Sequence, residues 1–253
     1  MRTIKLTVCY DGSNYSGFQR QAKETTIQQV LEEKLARVCG EPVTVTGSGR
    51  TDTGVHARCQ VVSFATEGTI PTANVGRALN SILPEDIRVL RAEEVQAGFN
   101  ARKDTCWKEY EYRIRFAPEP DPFSRNYVWQ MKELPDVNKM QTAASMIVGT
   151  HDFSGFQSAG SSPVSPVKTI YESCWVEEQD GTLVYHIAGN GFVYHMVRNL
   201  VWSMVQIGLG KKPPEAMAEE LCRKRGEFEN SPAPPQGLYL AKVEYDFYKK
   251  CPE

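Results

Sequence analysis

Apolar positions in the first half of the chain recur with two periods. Ile4, Leu6 and Val8 return every second residue, which predicts a strand over 3–10 with one buried face. Ile27, Val30, Leu31, Leu35 and Val38 return at three and four, which predicts a helix over 27–38. Thr26 is placed to cap that helix and Gly40 to end it. Strand patterns follow at 43–47 and 59–65. A helix at 73–83 opens after Pro71-Thr72 with Val75, Ala78, Leu79 and Ile82 on one face, and a strand closes the half at 87–95.

The second half repeats the order. Strand patterns occupy 108–116 and, briefly, 127–130; a helix is predicted at 137–148 with Pro135 near its first turn. Strands at 169–177 and 182–188 are joined by Gln179-Asp180-Gly181, where Asp-Gly is a strong hairpin signal. A helix at 195–207 carries Met196, Leu200, Met204 and Ile207 and is stopped by Gly208. A shorter one at 215–224 follows Pro213-Pro214, and a strand at 238–247 ends the series. Each half spells β-α-β-β-α-β, the ferredoxin-like order. The expected fold class is therefore α+β: two such halves joining their antiparallel sheets, with helices on one face and an RNA-binding cleft on the other. The expected domains are 1–104 and 105–253. Residues 158–166 and 231–236 read as loops.

Composition narrows the class. Hydrophobic content of 41% and charged content of 24% belong to an ordinary globular chain. No apolar run approaches the roughly 18 residues of a membrane span, and the start goes straight into a strand pattern, unlike a signal peptide. Seven scattered cysteines without a CxxC pair argue for a reducing compartment and against a disulfide framework or zinc site. Four histidines show no metal-ligand spacing. The net charge of −2 announces no nucleic-acid partner, yet a local basic face would suffice. Arg20, Arg50, Arg58, Arg102, Arg113, Lys168 and Arg198 are the candidates for one.

Candidate chemistry concentrates in Gly47-Ser48-Gly49-Arg50-Thr51-Asp52-Thr53-Gly54-Val55-His56-Ala57. Glycines at this density let the backbone bend sharply between two strands and present polar side chains at a fixed place. Arg50 and Asp52, two apart, point the same way in extended chain, and a guanidinium beside a carboxylate fixes its orientation. An oriented carboxylate serves as nucleophile or general base. Tyr110 and Tyr112 share a strand face with Lys108 and could stack on an unpaired base, or simply fill the core. Arg198 in the first turn of a helix is unfavourable against the helix dipole, which suits an anionic partner. The segment Tyr10-Asp11-Gly12 through Gly17-Phe18-Gln19 mixes aromatics and glycines in a loop.

Together with Thr26-Ile27-Gln28, Phe99-Asn100-Ala101-Arg102, Tyr110-Glu111-Tyr112, His151-Asp152-Phe153-Ser154, His195-Met196-Val197-Arg198-Asn199 and Gly237-Leu238-Tyr239-Leu240, these segments resemble the tRNA pseudouridine synthase A family, in order and over nearly the whole chain. The resemblance implies isomerisation of uridine to pseudouridine at positions 38 to 40 of the tRNA anticodon stem-loop. It implies no metal and no organic cofactor, no membrane and no DNA, a homodimer, and a cytoplasmic enzyme. By position, Asp52 is the implied catalytic aspartate, Tyr110 the ring that stacks on the target uracil, Arg198 the partner of the aspartate, and Arg50 a residue holding the flipped nucleotide. Lys103, Thr105 and Lys168 depart from the family pattern and bear on RNA contact. Two rivals remain open at this level: a non-catalytic RNA-binding module, and a nucleoside N-glycosylase or hydrolase that would release free base.

Overall fold

Strand β1 (Arg2–Tyr10) buries Ile4, Leu6, Val8 and Tyr10 and leaves the alternate residues partly exposed, as its two-residue period requires. The computed structural model describes residues 1–158, 160, 165–224 and 231–246. Most of the loop expected at 158–166 and the end of the strand expected at 247 lie outside that set. The chain is mixed α+β and divides into two units, Met1–Cys106 with Tyr239–Tyr245, and Trp107–Leu238.

In the first unit β1 pairs antiparallel with β3 (His56–Thr66) on one side and β4 (Ile87–Val95) on the other. Helix α1 (Ile27–Cys39) is capped as its sequence demands: Thr26 accepts from the Gln29 amide, and Gly40 closes the helix at φ 75°. Helix α2 (Thr72–Asn80) buries Val75 and Leu79 and stops earlier than the expected 83. The side chain of Asn80, the last residue of α2, bonds the amide and carbonyl of Val89, pinning α2 to β4. Strand β2 is only Thr46–Gly47, against an expected 43–47. The reason is chemical: the Val45 carbonyl and amide are taken by the Gln28 amide and the Glu32 carboxylate, so neither can join a ladder. Strand β10 (Leu238–Glu244) pairs parallel to β3, with Tyr239 opposite His56.

In the second unit β5 (Trp107–Phe116), β9 (Thr182–Gly189), β8 (Val167–Glu177) and β7 (Gly149–Asp152) run antiparallel in that order, and β6 (Trp129–Met131) pairs parallel with β5. The sequence pattern gives no sign of β7. Gly-Thr-His-Asp has no apolar alternation and becomes a strand only through its pairing with β8. Helix α3 (Val137–Ser145) is capped by Asp136, which accepts from the Asn138 and Lys139 amides. Helix α4 (Met196–Gly208) is buried on most of its surface, and α5 (Ala216–Leu221) is shorter than the expected 215–224. Tyr112 and Tyr185 are fully buried in this unit.

Candidate active site

The loop between β2 and β3 is held chiefly by backbone. The Phe18 amide donates to the Thr51 carbonyl at 3.0 Å, and the Val55 amide donates to the Asp52 carbonyl at 3.1 Å. Gly17, at φ +82°, sits so close that a Cβ would lie 2.6 Å from the Thr51 oxygen. A Cβ on Gly12 would lie 2.0 Å from the Val55 oxygen. The glycines of the 10–19 segment are thus required by close approach of one loop to the other. Thr51 points inward, 6% exposed, and its hydroxyl bonds the Tyr10 phenol at 2.8 Å. Burial pushes that phenol up to about 12, so it stays protonated. Of the neighbours of Thr51, Asp52 is half-buried and Arg50 exposed. Ser48 and Gln60 brace the loop from below through a 2.7 Å hydrogen bond, and the Gln60 amide also donates to the Gly49 carbonyl at 3.0 Å.

Arg50 donates from Nε to the Gln19 side-chain oxygen at 3.1 Å. Arg50, Arg102, Phe18, Gln19, Gln28 and the backbone at Gly47 and Gly49 border a cleft of about 200 Å³. His56, next on the chain, is stacked on Tyr239 with ring centroids 4.7 Å apart, and Arg58 lies over the same tyrosine ring at 4.9 Å. The His56 Nδ1 is 3.0 Å from the Gly12 amide and 3.1 Å from an Asp11 oxygen. A backbone N–H can only donate, so Nδ1 acts as acceptor and the imidazole is not ion-paired to Asp11 through that atom.

The other expected site residues lie in the second unit. Tyr110, on β5, is 7% exposed and meets the Phe192 ring edge-on at 5.0 Å. Arg198, on the first turn of α4, donates from Nε to the Ala233 carbonyl at 2.6 Å, while the Ala233 amide donates to the Arg198 carbonyl at 3.2 Å. Tyr112 donates to the Pro234 carbonyl at 2.7 Å, and Gly237 lies where a Cβ would strike its ring. Burial raises the Tyr112 phenol well above its ordinary value, and the positive charge of Arg198 partly opposes that. Arg198 and the Tyr110–Tyr112 strand are therefore neighbours within one unit. His195, which precedes α4, adopts φ 63°, the only left-handed non-glycine among the described residues, with Nδ1 2.9 Å from the Ser158 hydroxyl. Burial lowers the Lys168 ammonium from its ordinary value.

Among the seven candidates for a basic face, Arg20 and Arg113 are seen paired with carboxylates. Arg20 is paired with Glu32 at 2.8 Å, and Arg113 with Glu178. On the strand face away from Tyr110, Glu109, Glu111 and His186 bring possible ligand atoms within 4.8 Å of one another. Spacing along the chain could not reveal this set, because His186 arrives by register opposite Glu111. Chain spacing also hid Gln28 and Glu32. Their one signal was a pair of polar residues four apart beside the apolar stripe of α1.

A family model described as tRNA pseudouridine synthase matches residues 6–102 and 143–246. The tRNA pseudouridine synthase A of Thermoanaerobacter sp. (strain X514) is 41% identical over 245 residues, covering 97% of this chain and all of that protein. The proteins of the same description from Clostridium kluyveri and Limosilactobacillus fermentum are 42% and 43% identical, each over 97% of this chain and over 100% and 97% of their own lengths. A chain of a Cbf5-Nop10-Gar1 complex superposes with a TM-score of 0.35 at 12% identity, over 81% of this chain and 44% of that one, too distant to carry a fold assignment.

Proposed function

The chain belongs to the tRNA pseudouridine synthase family, and from that premise we propose that Asp52 is its catalytic carboxylate and that Tyr110, Arg50 and Arg198 bind the target nucleotide. The enzyme isomerises uridine to pseudouridine in tRNA. In that reaction the N1–C1′ bond breaks, the uracil turns, C5 bonds to C1′, and the proton on C5 is exchanged for one on N1. Atoms and electrons balance within the nucleotide, so the chemistry calls for one carboxylate near the sugar and a surface that retains the free uracil. The observation that carries the assignment is the Asp52 loop itself. Its backbone is fixed by hydrogen bonds and by the close approach of Gly12 and Gly17, Asp52 on it is half-buried, and the same loop carries Arg50 into a cleft that Arg102 also borders. Asp52 serves either as nucleophile at C1′ or as base at C2′.

The target nucleotide lies within a stack and must be extruded, at a cost of a few kcal/mol. A tyrosine face and two guanidinium groups are suited to offset that cost. The proposed substrate positions are 38 to 40 of the anticodon stem-loop. The proposed assembly is a homodimer of 28.4 kDa chains acting in the cytoplasm. No helix of the described residues is long and apolar enough to cross a membrane.

Asp52→Asn tests the assignment. Asn keeps the shape but is neither base nor nucleophile, so single-turnover tritium release from C5-labelled tRNA is expected to vanish with RNA affinity little changed. Activity within about tenfold of the parent would remove Asp52 from catalysis. The same transcript, sequenced for pseudouridine, separates isomerase from glycosylase, which would leave an abasic site, and fixes the position. Light scattering at micromolar concentration fixes the mass of the active species.

A further inference from the structure

A chain of side-chain hydrogen bonds runs from the interior of the first unit to Arg50. It begins at Glu32 on α1, 8% exposed. One Glu32 oxygen accepts from the Val45 amide and from the Gln28 side-chain amide, both at 3.0 Å; the other accepts from Arg20 Nε at 2.8 Å. Gln28, 9% exposed, uses its remaining N–H on the Val45 carbonyl at 3.0 Å. Its oxygen accepts from the Gln19 side chain at 3.0 Å and from the Arg20 amide at 2.9 Å. Gln19 then accepts from Arg50 Nε at 3.1 Å.

The direction of this chain is not arbitrary. A carboxylate can only accept, so Glu32 obliges Gln28 to face it with its NH₂. The Val45 carbonyl enforces the same orientation. Gln28 therefore presents its oxygen outward, which obliges Gln19 to present its NH₂ inward and its oxygen to Arg50. Had either amide been reversed, the group facing Arg50 would be a donor, and a guanidinium has no acceptor to meet it. The cost of burying Glu32 and Gln28 beside an apolar stripe is offset only because each of these hydrogen-bonding positions is filled.

We propose that Gln19, Gln28 and Glu32 are positioning residues for Arg50. They fix the polarity of the acceptor that holds its Nε and so aim its guanidinium along the cleft toward the extruded nucleotide. This rests on the assignment of Arg50 to that nucleotide. None of the three touches substrate. They act by reducing the number of orientations Arg50 must abandon when the nucleotide arrives.

The experiment is a double-mutant cycle. Gln19 is exposed, so Gln19→Ala leaves the fold intact and the melting temperature unmoved. Its single-turnover rate constant on unmodified tRNA is expected to fall roughly five- to tenfold, the value of one ordinary hydrogen bond at an exposed site, with KM unchanged. In an Arg50→Ala background the same change should be silent. Gln28→Leu, which removes the amide that orders Gln19, should act in the same way: slower with Arg50 present, silent without it. Thermal melts on each protein separate this from loss of structure, which would lower the rate in both backgrounds. A Gln19→Ala protein as fast as the parent, with Arg50→Ala impaired, sinks the positioning chain alone. A Gln19→Ala loss that persists without Arg50 also sinks it. Arg50→Ala at parental rate would instead remove Arg50 from the site, and the chain's purpose with it.

Discussion

The Asp52 loop and the Tyr110–Arg198 region are built on different principles. In the first, backbone holds backbone. The Gly12 and Gly17 main chains press against Val55 and Thr51, and hydrogen bonds from Phe18 and Val55 tie the loop down. In the second, side chains do the holding, against one another and against backbone carbonyls. Tyr110 rests on Phe192, Tyr112 on Pro234 and Gly237, and Arg198 is tied to Ala233. Backbone contacts locate a carboxylate to a fraction of an ångström but tolerate no added atom. Packed rings and guanidinium groups tolerate adjustment, which suits a surface that must follow a turning base. The comparison implies steep, all-or-none sensitivity in the first region and graded sensitivity in the second.

Gly17→Ala should show the steepest loss. Alanine at φ +82° is strained by about 1–2 kcal/mol, and its methyl group would sit 2.6 Å from the Thr51 oxygen. The Asp52 peptide has to shift, so turnover should fall more than about a hundredfold, since small misplacements of a reacting group cost that much. Hydrogen exchange across β5 and β9 should stay unchanged. Loss of protection there as well would mean that the loop is not an independent feature, and the contrast between the regions would fail.

Tyr110 probes the graded side. Tyr110→Leu removes the aromatic face and should lower turnover about ten- to a hundredfold, the value of one stacked base, with tRNA still bound. Tyr110→Phe keeps the face and should lie between the two. Equal rates for all three proteins would reduce Tyr110 to core packing.

How much of this was legible depended on whether the chain or the fold made the feature. The Asp52 loop could be read because its glycines and its carboxylate are consecutive, and local sequence dictates a sharp bend. Likewise α1 could be read, caps included, because Thr26 and Gly40 are its own ends. Strand β7 could not, since only the pairing of Gly149 with Ile170 makes it a strand. Strand β2 was overdrawn because Val45 looks like strand but gives its amide and carbonyl to side chains from α1. The Gln19–Arg50 bond could not be read either, because only the fold brings residues 31 apart in sequence together. The left-handed His195 also has no local signature, because a histidine takes that conformation only where its surroundings impose it.

A smaller effect is expected at Tyr112→Phe. The substitution removes the bond to the Pro234 carbonyl and nothing else, at a cost of about 1 kcal/mol in stability. The loop over Arg198 loses one of its ties, so turnover should fall a few-fold. Denaturant melts read the first and single-turnover rates the second. A large loss of activity without loss of stability would show that the phenol itself takes part in the reaction, contrary to the packing role drawn from its burial.

The smallest effect tests the far face of the side-chain-built region. The Glu109 carboxylate beside His186 raises that imidazole from its ordinary value, burial opposing, with Glu111 adding to the rise. Glu111, Glu172 and Cys174 are the other titratable groups that bear on this part of the face. A raised folded value means that the fold favours the protonated ring. Its contribution to stability is therefore complete below about pH 6.5, the unfolded value, and is lost as pH rises through the folded one. His186→Gln removes that contribution. The difference in melting temperature between parent and variant should be largest near pH 6 and shrink by about pH 8.5. His186 is 28% exposed, so solvent screening keeps the effect modest. A difference that does not change with pH would mean the imidazole is held by packing alone, and the charge pairing on this face would carry no weight in the fold.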